Sequence, residues 1–151
     1  MNPTQKNIEI TKTEAHPDCI GCSPANASGL ALQFIMRADK GVQAEFSCSN
    51  LYQGYPGFIH GGITSLLLDS AMTNCLFAHH ITAVTARLII RYILPVNINQ
   101  TACVKAWLRE YEPPLYVLEA ELEQEGKVLV RASAKFIRWE LAESSREAVM
   151  A

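Results

Sequence analysis

Charge is scarce in this chain of 151 residues. Asp, Glu, Lys and Arg together make up 19%, below the usual quarter, while hydrophobic residues reach 49%. So little charge beside so much apolar material excludes a disordered chain. It leaves either an efficient core or apolar surface covered by another subunit. A basic excess is also missing, the formal net charge being −2, so a dedicated nucleic-acid binder is not expected. Residues 1–17 lack the apolar stretch of a secretory signal. The most apolar window, 63–78, is interrupted by Asp69, Ser70, Thr73 and Asn74 and falls short of a membrane span. The five cysteines are an odd number, and Cys48, Cys75 and Cys103 stand singly inside apolar patterns. A disulfide framework is therefore not expected, and a cytoplasmic setting is. Phosphate loop, dinucleotide fingerprint, Gly-x-Ser-x-Gly elbow and internal repeat are all absent.

What is present fits one domain of 29–139, preceded by an irregular segment over 1–28 and followed by a tail over 140–151. Leu30, Leu32, Phe34 and Met36 share one face of an alternating run. Val42, Ala44, Phe46 and Cys48 share one face of a second, with Ala38-Asp39-Lys40-Gly41 as the hairpin turn between them. After a loop marked by Gly54, Pro56 and Gly57, His60-Gly61-Gly62 opens a helical segment whose Ile63, Leu66, Leu67, Leu68, Ala71, Met72, Cys75 and Leu76 cover most of the wheel. A helix apolar nearly all round must be wrapped by other elements. Four strand-like runs follow, at 84–93, 100–110, 115–124 and 127–139, separated by turn residues. The expected fold class is α+β, an antiparallel sheet of about six strands enclosing one central helix.

Between Glu45 and Arg87 the only Asp, Glu, Lys or Arg is Asp69, in the middle of that apolar helix. An ionised carboxylate there costs several kcal/mol unless it is paired or hydrogen-bonded, so it points to a functional site. Gly61 and Gly62 leave helix N-terminal amides open to close approach, as an oxyanion hole requires. Tight packing of the incoming loop is the alternative reading. Gly61 and Asp69 are eight residues apart, about 12 Å along one helix. Groups acting on one reacting atom lie about 3 Å from it. If both are catalytic, Gly61 of one chain must meet Asp69 of a two-fold partner, which predicts a homodimer with its sites at the interface.

Thr73, one turn beyond Asp69, has a hydroxyl suited to holding water or orienting the carboxylate, or else bonded back to its own helix. Thr85, at the start of the next strand, is a candidate of the same type, and Gln53 is a candidate for a polar group of a substrate. His79-His80 reads as a structural helix end. His16-x-x-Cys19-x-x-Cys22 is half of a zinc site, but no second compact pair follows, so no metal and no cofactor are expected.

The stretch Gln53-Gly54-Tyr55-Pro56-Gly57-Phe58-Ile59-His60-Gly61-Gly62, then Leu66-Leu67-Leu68-Asp69 and Ala71-Met72, then the run from Thr85 to Pro95, resembles the hotdog-fold acyl-CoA thioesterases of the phenylacetate-pathway (PaaI) type. The segment from Cys19 and Cys22 through Asn26 to Gly29-Leu30 is similar to an N-terminal piece of many relatives. The resemblance implies hydrolysis of a small- to medium-chain or aryl acyl-CoA thioester, with Asp69 as nucleophile or general base. It implies that the Gly61 amide polarises the carbonyl and that His60 shapes the turn. Thr73 and Thr85 match hydroxyls used by different relatives, Gly62 adjoins the substrate, and Gln53 is displaced by about one residue from an upstream polar position. It further implies an acyl-CoA partner, a homodimer and a homotetramer. A non-catalytic acyl-CoA sensor is the alternative reading.

Overall fold

A computed structural model describes residues 3–150; Met1, Asn2 and Ala151, the ends of the two terminal segments, lie outside the described residues. The elements run α1 (Pro3–Ala15), β1 (Ile35–Met36), β2 (Val42–Ser47), a 3-10 turn (Asn50–Tyr52), α2 (Gly61–Ala78), β3 (Ala83–Tyr92), β4 (Thr101–Glu112), β5 (Leu115–Gln124), β6 (Lys127–Arg138) and α3 (Trp139–Met150). All six strands join one antiparallel sheet in the order β1-β2-β4-β5-β6-β3. The α+β expectation holds.

Alternation in the strands builds the wall around α2. Tyr116, Leu118, Ala120 and Leu122 of β5 are buried, as are Ala102, Val104 and Ala106 of β4 and Val130, Ala132, Ala134 and Phe136 of β6. The alanines in these rows keep the inner face shallow enough to close on a helix. From Leu67 to Ala78 every residue of α2 is buried except Asp69, which is half-buried. Each buried Leu or Phe in this layer contributes about 1.5–3 kcal/mol.

Two expectations need correction. The first alternating run keeps its facing, with Leu32 and Phe34 buried, but only Ile35–Met36 pair with β2; positive φ at Ala31 takes the preceding chain off the sheet. Residues 1–28 are not irregular throughout, because Pro3–Ala15 is a helix. Its sequence shows no acidic first turn, and it is held by packing on α2 through residues such as the fully buried Ile8. The tail is helical, although α3 buries no residue.

The two sheet edges differ. Gln5 of α1 donates to the Phe34 carbonyl at 2.9 Å and accepts from the Met36 N–H at 3.0 Å, which covers the β1 edge. β3 is the other terminal strand, and Thr85, Ala86, Arg87, Ile89, Arg91 and Tyr92 are exposed along it.

The loop after α1 lies on α2. The N–H of Leu30 donates to Ile20 and that of Leu32 to Gly21, tying the loop into a knot of turns. A Cβ at Gly21 would fall 2.1 Å from Ser70 Oγ and 3.2 Å from Ser70 Cβ. Gly21→Ala is therefore expected to cost about 1–3 kcal/mol through overpacking, read as a lower urea midpoint at unchanged slope. An unchanged midpoint would mean that this loop does not bear on α2.

Candidate active site

His60 caps α2. Its Nδ1 accepts the Gly62 N–H at 2.9 Å, and its own N–H donates to Tyr52. Gly61, the first residue of the helix, has an N–H without an intrahelical acceptor. Of the two glycine amides, that of Gly62 is engaged by the capping ring and that of Gly61 is not. The Gly61 carbonyl is held from the opposite side. Tyr92 and Ser65 hydroxyls both donate to it, at 2.8 and 2.9 Å, and stand 2.8 Å from each other. Neither Tyr92 nor Ser65 was singled out in the sequence, since a tyrosine at a strand end carries no local signal.

Gly61 borders an open cleft of about 720 Å³ lined by Tyr55, Phe58, Ile59, Thr64, Tyr92 and the run from Ile93 to Val96. The cleft is mostly apolar, and its floor is the start of α2. Gln53 lines an adjoining cleft with Tyr55, His60 and Gly61. Its Oε1 accepts the Gly57 N–H at 2.9 Å, and its backbone bridges to Ile59, so it closes the loop that forms one wall. Gly57 has φ of 90°, a conformation that favours glycine in that tight loop.

Asp69 accepts a hydrogen bond from the Thr85 hydroxyl at 2.6 Å. Among the described residues this is the hydroxyl bonded to the carboxylate. Thr73 is buried one turn further along the helix, away from that role. Of the two threonines, it is Thr85 that bonds the carboxylate directly. Neighbouring elements decide which hydroxyl reaches the carboxylate, and helical spacing does not report them.

A single strand serves both the start and the middle of the helix. Thr85 meets Asp69 and Tyr92 meets Gly61, although an odd spacing of seven residues puts two side chains on opposite faces of a regular strand. The β3–β6 register shifts between Thr85 and Arg87, a bulge that restores the common facing. Gly61 and Asp69 lie on one unbroken helix, about 12 Å apart along its axis.

His16, Cys19 and Cys22 come together in the loop beside α2, their ligand atoms all within 4.8 Å of one another. Burial lowers the His16 pKa below the ordinary imidazole value, partly offset by the negative charge of Asp69. The Cys22 thiol is pushed up to about 12 by burial, against a lowering hydrogen bond from Asn74. At the far end of α2, His79 is the C-cap, and burial lowers its pKa.

Six antiparallel strands round one helix, with an amide-bearing helix start in a cleft and one carboxylate at mid-helix, define the hotdog class. The chain belongs to the Thioesterase superfamily, whose family model matches residues 56–131, a span that contains Gly61, Asp69 and Thr85. The acyl-coenzyme A thioesterase THEM4 of Rattus norvegicus is 28% identical over 115 residues, covering 73% of this chain and 50% of the relative. The chain spans about half the length of the curated relatives it matches. The PaaI protein from the phenylacetic acid degradation operon of E. coli has a similar structure, with a TM-score of 0.75 at 16% identity over 89% of this chain and 95% of that one. A Streptococcus mutans protein solved with acetyl CoA gives a TM-score of 0.66 at 16% identity, over 71% of this chain and 87% of that one. These two structures agree with the fold.

Proposed function

We propose that the chain hydrolyses small- to medium-chain or aryl acyl-CoA thioesters to free acid and CoA, as a cytoplasmic homodimer that pairs into a tetramer. The observation that carries this reading is a carboxylate, Asp69, oriented by Thr85 on the same helix that offers the Gly61 amide to an apolar cleft. The relatives named for thioesterase activity and the neighbour solved with acetyl CoA support the substrate class.

In the general-base route, Asp69 takes a proton from water and the resulting hydroxide attacks the thioester carbonyl carbon. The Gly61 N–H holds the developing oxyanion, the C–S bond breaks, and the CoA thiolate takes up a proton. In the nucleophilic route, Asp69 attacks the carbonyl itself and water later cleaves the mixed anhydride. Neither route draws on a cofactor.

The free β3 edge supports the dimer. Antiparallel pairing of β3 with its copy sets the Thr85 end of one chain beside the Tyr92 end of the other. Because Thr85 marks Asp69 and Tyr92 marks Gly61, this pairing brings the carboxylate of one protomer toward the helix start of its partner.

The test is thiol release from a panel of aryl- and alkyl-CoA thioesters. Turnover of at least one class is expected. Tight binding without thiol release across the panel would replace this reading with that of a non-catalytic acyl-CoA binder.

A further inference from the structure

We propose that His16, Cys19 and Cys22 form a binding site for one zinc-type divalent cation, which clamps the 16–22 loop onto α2 beside the Asp69 turn. The sequence alone led to the opposite expectation, because three ligands appear there without a second compact pair. The fold changes the count by supplying a wall.

The three ligand atoms lie within 4.8 Å of one another. Zinc–sulfur bonds of about 2.3 Å and zinc–nitrogen bonds of about 2.0 Å need ligand pairs at about 3.5–3.8 Å, a contraction that the short loop permits. Two thiolates and an imidazole are the donor set that selects zinc over magnesium or calcium. With both thiols deprotonated, the cation and its ligands sum to zero charge, which suits a site where Cys22 is fully buried.

The surroundings are built for a bound ion. The His16 ring is fixed edge-on against Phe77 at 5.1 Å between centroids. The Gly21 N–H donates to Cys19 Sγ at 3.3 Å, which fixes the position of the sulfur. His16 Nδ1 and Asn74 Oδ1 are both buried without a hydrogen-bond partner among the described residues. Asn74 is 0% exposed, reaches from α2, and also anchors itself by donating to the Ser70 carbonyl at 2.9 Å. Orphaned polar atoms of this kind mark a water or an ion. The Asn74 oxygen, or a water it holds, would close the tetrahedron. The cation would then pin the same loop whose Gly21 rests on Ser70, next in sequence to Asp69.

The experiment uses the untagged 151-residue chain, reduced, incubated with zinc sulfate and desalted before elemental analysis. About one zinc per chain is expected. Cys19→Ser and His16→Gln should each lose it; Cys19 is chosen because it is less buried than Cys22. Cys103→Ser, outside the cluster, should keep it. Cobalt(II) in place of zinc should show thiolate-to-metal absorption that Cys19→Ser lacks. Stripping with chelator should lower Tm by about 5–10 °C, restored by zinc. Uptake below about a fifth of an equivalent by the folded, reduced chain would overturn the proposal. So would zinc retained by the His16→Gln, Cys19→Ser double variant, or a Cys19–Cys22 disulfide whose reduced form takes up none.

Discussion

Asp69→Asn is expected to fold as the parent does and to lose at least about 100-fold in thioester turnover. The amide is isosteric and still accepts the Thr85 hydroxyl through its oxygen, so shape and packing persist. What disappears is the nucleophile or base, a role worth about 10²-fold or more. The measurement is kcat on the best CoA thioester of the panel, beside a thermal melt of both proteins. Turnover within about threefold of the parent would remove Asp69 from the chemistry.

Gly61→Pro is expected to be almost inactive alone, yet to recover activity when refolded together with Asp69→Asn. Proline at the first helical position removes only an N–H and is well tolerated there. His60 already has φ −59° and ψ 135°, as a residue before proline requires. A Cβ at Gly61 meets the Tyr92 hydroxyl at 3.6 Å, an ordinary contact. Random pairing makes about half of the dimers mixed, and each mixed dimer carries one site with both defects and one with neither. Activity should return to roughly a quarter of the parent value when the sites act independently. Bulky non-proline residues at Gly61, which block carbonyl approach, should complement in the same way. Folded variants that exchange subunits without regaining activity would mean that Gly61 and Asp69 do not share a site across an interface.

The amino-acid sequence by itself determined the periodicities: an apolar helix, four alternating runs after it, and turn residues between them. It also isolated Asp69 and the glycine pair, because a lone charge in an apolar helix and adjacent glycines at its start are local facts. The 12 Å argument followed from helix rise alone. Tertiary structure decided which hydroxyl bonds Asp69. Thr73 has the right spacing on the helix, but Thr85 arrives from a strand, and only the β3 bulge lets that strand touch both Asp69 and Gly61. It also decided that Pro3–Ala15 is helical, since that segment draws its order from packing on α2. The gathering of His16, Cys19 and Cys22 beside α2 belongs to the same category. Local patterns report how a segment repeats along itself; the partner of a buried polar atom is set by elements distant in the chain, and only their packing brings them within bonding distance.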